Sequence, residues 1–315
     1  MGSELALRQE QGLVPQMQVS MEDIVDRFMA SQDIAQSSKG TYRRQLLQFI
    51  TWLKETGRID SMNTMVREDI LAYREALRQG KKSSYTVSSY MTAVRRFYEW
   101  LEAERIFPNI ARGVKGDKKA KGFRKDCLTP GQLRDALDSL ERSSLEGLRD
   151  YALFNLIART GLRTIEVARA QVRDLRQESG QSVLWIQGKG RDSKDDFVVL
   201  MDEAERPIRN YLQARGKLSD DAPLFCSHSD RNSGHELTTR SISRIIKNIL
   251  IGIGLDDSRL TAHSLRHTAI TLSIKGGASI QEAQAMARHT DPKTTMVYFH
   301  NIARVESGAE RFIKF

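Results

Sequence analysis

Six side chains in the C-terminal part of this 315-residue chain are of the types that direct attack on a phosphodiester requires: Arg163, Lys189, His263, Arg266, His289 and Tyr298. Such a substitution takes a nucleophile, cations against two non-bridging oxygens, and a proton for the departing oxygen. Arginine suits the second task because its planar fork is always charged and matches phosphate bidentately. A tyrosine hydroxyl becomes a nucleophile where neighbouring cations favour the phenolate. Lysine or histidine can supply the proton.

Each residue stands in its own local frame. In Thr160-Gly-Leu-Arg163-Thr-Ile-Glu166 a glycine turn precedes a helix start, and Glu166 sits one turn on, able to orient an arginine. Gly188-Lys189-Gly190 puts a lysine at a hairpin tip, with Lys194 across the same turn as a rival proton donor. His263 and Arg266 are three apart and share a helix face; His267, next in line, is read as structural. His289 ends one helix, Asp291-Pro292 makes the turn, and Tyr298 lies within the next helix. Taken singly these are weak signals, since a surface arginine, a turn lysine or a half-buried tyrosine is an ordinary thing.

The elements that must position them are mostly helical. A polar, Gln-rich arm over 1–19 precedes a compact all-helical domain over 20–108, with helices expected near Ser20, from Ser38 to Gly57, near 67–79 and from Ser84 past Leu101. Residues 109–126 read as a basic linker carrying Lys115, Lys118, Lys119, Lys121, Arg124 and Lys125, too poor in apolar residues to pack a core. It suits a plain tether and a strip along a phosphate backbone about equally. A second domain spans 127–300: Thr129-Pro130 starts a helix to about 141, and others follow at 146–160 and 164–170. Two strands at 181–187 and 196–201 form a hairpin, and helices return at 203–215, 238–252, 263–275, 279–287 and 292–300. The expected class is mainly α with a small β-hairpin in the second domain, ending in a short tail over 301–315.

Composition narrows the partners. Residues 1–125 hold 22 Lys+Arg against 15 Asp+Glu, and the remainder 27 against 25, so the net +9 is concentrated in the first part. A solvated basic surface would account for this, but a polyanion, nucleic acid above all, is the favoured partner. The two cysteines, Cys127 and Cys226, are not in a metal or redox spacing, which argues for a reducing cytoplasm and no structural zinc. No apolar run reaches the ~18 residues of a membrane span, and the N-terminus lacks a signal-peptide layout.

The order Arg163, Lys189, His263-x-x-Arg266, His289, Tyr298, with each motif in place, resembles the tyrosine recombinases of the phage integrase family, in the compact layout of Xer-type enzymes and mobile-element integrases. The likeness runs over about 20–300. It implies a two-domain clamp on duplex DNA, a tyrosine recombinase catalytic domain, and site-specific cutting and rejoining through a 3′-phosphotyrosyl intermediate. In that frame Tyr298 is the nucleophile, Arg163 and Arg266 hold the phosphate, His263 and His289 donate to it, Lys189 protonates the leaving oxygen, and Glu166 supports. It further implies a homo-tetramer on paired sites, a tail exchanged between protomers, an accessory protein as a candidate partner, and no cofactor or metal. Arg43, Arg44, Arg95, Arg96, Lys118, Lys119, Lys121, Arg240 and Arg244 are candidate DNA contacts. Two other readings compete: a non-cleaving sequence-specific DNA-binding protein, and a type IB topoisomerase-like relaxer. The chain departs from many relatives at Arg288, where they carry glycine, and in an acidic hairpin with Asp192, Asp195 and Asp196.

Overall fold

A computed structural model describes residues 20–58, 64–118, 126–188, 190–306 and 308–313. The arm over 1–19, Lys119, Lys121 and Lys189 lie outside the described residues. The chain divides into two compact units at about residue 121.

The first unit is the expected helical bundle: α1 Met21–Ser31, α2 Gln36–Glu55, α3 Arg67–Gln79 and α4 Ser84–Ala103. Ser20 and Asp23 cap α1 reciprocally, satisfying backbone N–H groups that the first turn leaves open. The apolar faces close on an aromatic core of Phe28, Phe49, Tyr73, Phe97 and Tyr98. One boundary differs from expectation. The residues after 108 do pack: Ala111 and Val114 are buried in this core, and Ile110 lies against it. Arg74 donates to the Lys115 carbonyl at 3.0 Å and Arg78 Nε to Asp117 at 2.9 Å. A few small apolar residues and arginine contacts suffice to hold a basic stretch whose composition reads as a tether.

The second unit opens with α5 Pro130–Asp138, where Thr129 and Gln132 form the cap and Pro130 stands at the first position. The helices α6 Leu145–Thr160 and α7 Thr164–Ala168 follow. A three-stranded antiparallel sheet comes next, β1 Leu175–Glu178, β2 Gln181–Ile186 and β3 Asp196–Val199, in the order β1-β2-β3. The β2–β3 pair is the expected hairpin; β1 is an addition. It meets β2 through a turn in which Ser179 and Gly180 both have positive φ, 49° and 78°, the two-residue connection whose twist matches paired strands.

Five helices complete the unit: α8 Asp202–Arg215, α9 Thr239–Gly252, α10 Ala262–Lys275, α11 Ile280–Ala287 and α12 Pro292–Glu306. A short 3-10 turn, Ala309–Phe312, follows. Helix α10 packs on α6, α9, α11 and α12 and is buried on nearly every face. Any polar side chain on it must therefore find a partner or open onto a site. Helix α12 runs six residues further than expected, and its Ile302 packs with Ile270, Ala287 and Tyr298 in a small cluster of its own unit. Among the described residues, no helix is long and apolar enough to cross a membrane.

Candidate active site

Five of the six predicted chemical residues fall on elements that meet at one end of α10. Gly161, at φ 62°, ends α6 in a left-handed turn, and Arg163 becomes the N-cap of the five-residue α7. The Arg163 guanidinium donates to Glu166 Oε1 at 2.7 Å and to the Arg288 carbonyl at 3.3 Å, while its backbone N–H donates to Glu166 Oε2 at 2.7 Å. Glu166 is wholly buried. Burial pushes its carboxyl up, but the charge of Arg288 and the hydrogen bonds and charge of Arg163 outweigh this and hold it below the usual range. Glu166 thus stays ionised and fixes the arginine fork.

Arg266 is 2 % exposed and donates to the Gly161 carbonyl at 2.5 Å and to the Ala287 carbonyl. It ties the ends of α6 and α11 together and is held in one orientation. Burial, then the charges of Arg163 and Arg288, lower its pKa to about 10, so it remains a cation at neutral pH. Repulsion among these guanidiniums is stored in the site, and a bound anion would relieve it.

His263, on the same helix, is exposed. His289 sits between α11 and α12 with its Nδ1 2.9 Å from Thr295 Oγ1, which fixes the ring. Burial and the three neighbouring arginines lower its pKa to about 4. It is neutral at pH 7 and donates from one ring nitrogen only. Tyr298 is 3 % exposed, its ring 6.2 Å from that of His289 and nearly parallel to it. Burial pushes the phenol pKa up, outweighing the opposite pull of Arg266.

His267 departs from expectation. Its Nδ1 is hydrogen-bonded with the Tyr298 hydroxyl, and its ring lies 4.5 Å from that of His263. Burial, then His263 and Arg266, bring its pKa to about 4, so at neutral pH the ring is uncharged and has one nitrogen able to accept a proton. Reading it as structural missed this. The signal was available, because four residues from His263 is the next position on the same helix face.

The hairpin side is divided. Lys194 is committed elsewhere, with its Nζ paired to the buried Asp174 and 2.8 Å from Gln171 Oε1. A cleft of about 340 Å³ between the hairpin and the arginines is lined by Arg163, Glu166, Arg191, Asp195, Arg288 and Thr290. Of the candidate DNA contacts, Arg44, Arg96, Lys118, Arg240 and Arg244 are exposed. Arg43 is paired to Asp26 at 2.8 Å, and Arg95 folds back on Met91 and Thr92 of its own helix. Among the described residues, His, Cys, Asp and Glu form no cluster able to hold a metal ion.

Fixed arginines facing a histidine pair and a tyrosine, on a helical unit with one small sheet, are the equipment of a phosphoryl-transfer enzyme. Comparison with known proteins agrees. Residues 126–304 match the phage integrase family, and residues 25–105 match the phage integrase N-terminal SAM-like domain. The tyrosine recombinase XerD of Listeria monocytogenes serovar 1/2a is 27% identical over 287 residues, covering 89% of this chain and 93% of the relative. The tyrosine recombinase XerC of Herpetosiphon aurantiacus is 27% identical over 289 residues, covering 90% and 91%.

Among solved structures, the XerH recombinase bound to palindromic difH substrate in a post-cleavage complex aligns with a TM-score of 0.74 at 21% identity. That alignment covers 93% of this chain and 85% of XerH. A lambda integrase dimer bound to a COC′ core site aligns at 0.67 and 16% identity, covering 88% and 97%. The chain belongs to the phage integrase family, and its activity is that of a site-specific tyrosine recombinase.

Proposed function

We propose that Tyr298 attacks a scissile phosphate in duplex DNA, forming a 3′-phosphotyrosyl ester and freeing a 5′-hydroxyl. The phenol loses its proton to a histidine of the site as the new P–O bond forms. The departing 5′ oxygen takes a proton from Lys189. Arg163, oriented by Glu166, and Arg266 hold the two non-bridging oxygens, and His263 and His289 donate to the same phosphoryl group. One phosphoester replaces another, so the step is close to isoenergetic, reverses on rejoining, and needs no cofactor. The observation that carries this reading is the convergence of Arg163, Arg266, His289 and Tyr298 through shared partners at the end of α10.

The reading has a conformational consequence. Tyr298 is buried with its hydroxyl on His267, so DNA binding must shift α12 enough to present the phenol to the phosphate. Assembly follows the same logic. Phe312 and Ile313 are 80% and 62% exposed after α12 ends, an apolar pair that would be covered on a neighbouring copy in a tetramer on two paired sites. Arg44, Arg96, Lys118, Arg240 and Arg244 would contact mainly phosphates. The protein would act on DNA in the cytoplasm, in integration and excision of a mobile element or in Xer-type resolution, with an accessory protein as a candidate partner.

The test is covalent trapping. Wild type and Tyr298→Phe are incubated with DNA of the source replicon in chelator, denatured in detergent, and protein-linked fragments are sequenced. Discrete ends linked in the wild type and absent from Y298F are expected. Tight binding with no adduct, or an adduct strictly dependent on magnesium, would overturn the mechanism. Deleting residues after Ser307 is expected to leave cleavage of single sites and abolish paired-site products; unchanged pairing would refute the tail exchange.

A further inference from the structure

Arg288 stands in a backbone conformation that does not favour it. As the last residue capping α11 it has φ 52° and ψ 48°, the left-handed region, where glycine fits without strain and a side chain does not. Its side chain is nevertheless 8% exposed and engaged at both terminal nitrogens: Nη1 donates to the Met286 carbonyl at 2.6 Å and Nη2 to Glu166 Oε2 at 2.9 Å. Its Nε–H is buried with no hydrogen-bond partner among the described residues. Strain and an unmet donor are both costs to folding. What the side chain gains in return is contact with the carboxylate that orients Arg163.

The geometry points to Arg288 as a positioning residue that, by sharing Glu166, lets the carboxylate orient the Arg163 fork without cancelling its charge. This rests on the recombinase reading of the site. With Arg163 and Glu166 alone, the pair is neutral and the fork is bound to its own counter-ion. With Arg288 on the second oxygen, two guanidiniums share one carboxylate, and a positive charge is left for a phosphate. The charge of Arg288 stands beside the hydrogen bonds and charge of Arg163 in holding Glu166 ionised against its burial. The Arg288 carbonyl also accepts from Arg163 Nη2, but that contact belongs to the backbone and survives any substitution of the side chain. The charge pair can therefore be removed while the main-chain contact stays.

The experiment is single-turnover cleavage of one site by the full chain, with wild-type adduct formation as the check on the recombinase reading itself. Arg288→Gly relieves the backbone strain but takes one of two cations off the buried Glu166, and it is expected to cleave roughly tenfold to a hundredfold more slowly in its folded fraction. DNA affinity should stay within about twofold, and Arg288→Lys should recover part of the rate. In a Glu166→Gln background, where no carboxylate remains to be shared, R288G should cost less than about threefold. R288G cleaving at the wild-type rate would overturn the inference. An equal loss in both backgrounds, with weakened DNA binding, would also overturn it and make Arg288 a direct phosphate contact. Should R288G fail to fold, Arg288→Met keeps the aliphatic stem and is read by the same comparison.

Discussion

The hydrogen bond between His267 and Tyr298 predicts a measurable coupling in stability. Both residues are buried, and at neutral pH His267 is uncharged, so that its Nδ1 in the Nε2–H tautomer accepts the phenolic proton. Replacing His267 by Leu leaves the Tyr298 hydroxyl without that partner, which costs about 1–3 kcal/mol. Tyr298→Phe removes the donor and should cost about 0.5–1.5 kcal/mol. In the double variant neither group remains to be satisfied, so its loss should fall short of the sum by about 1–2 kcal/mol. A chain of two compact units need not unfold in one transition, but the protein supplies its own reporter. Of its three tryptophans, Trp52 and Trp100 lie in the first unit and Trp185 on β2 of the second. In a Trp52→Phe, Trp100→Phe background, urea unfolding followed by fluorescence reads the second unit alone. At a slope of about 2–3 kcal/mol/M, the coupling amounts to roughly 0.5 M in midpoint. His267→Asn, which can keep an acceptor near the Nδ1 position, should lose much less than H267L. Additivity within about 0.5 kcal/mol would refute the bond and with it the sequestered state of the Tyr298 hydroxyl.

Two further outcomes follow from the same geometry. His267 and His289 each have a pKa near 4 in the folded protein against an ordinary 6.5, so between those values the unfolded chain binds more protons. Their contribution to stability is complete above about pH 6.5 and is lost as pH falls toward 4, by up to about 3 kcal/mol for buried His267 and less for the more open His289. Urea midpoints that stay flat from pH 7 to pH 5 would contradict this. Lys194→Met leaves the fully buried Asp174 carboxylate without its cation and should destabilise the second unit by about 2–4 kcal/mol, while the folded fraction cleaves within about threefold of wild type. A hundredfold loss restored by a substrate with bridging sulphur at the 5′ position, whose leaving group needs no proton, would make Lys194 the proton donor in place of Lys189.

What the sequence displays and what it hides divide along physical lines. Helices with one apolar face announce themselves by period, and the capping boxes at Ser20 and Thr129 mark where they begin. The candidate chemical residues stand out as a set because each has a particular local frame, and those frames are present: a turn glycine before Arg163, a helix carrying His263 and Arg266, a helix start between His289 and Tyr298. Strand β1, Leu-Arg-Gln-Glu, carries no alternation. It exists because β2 offers an open edge and Ser179-Gly180 permits the turn, a pairing seen only once the partner strand is in place. The packing of Ala111 and Val114 is hidden in the same way, by arginines on α3 that reach a stretch some forty residues away. His267 and Arg288 show the limit at the site itself. Helical spacing brings His267 onto the face of His263, but not that the hydroxyl of Tyr298, 31 residues on, ends there. Nothing in the pattern around Arg288 indicates that its side chain turns back, from a left-handed cap, onto a carboxylate 122 residues earlier. Roles set by charge shared between distant elements emerge only from the folded arrangement, which is why Arg288, a residue its own backbone conformation does not favour, carries the sharpest mutational test.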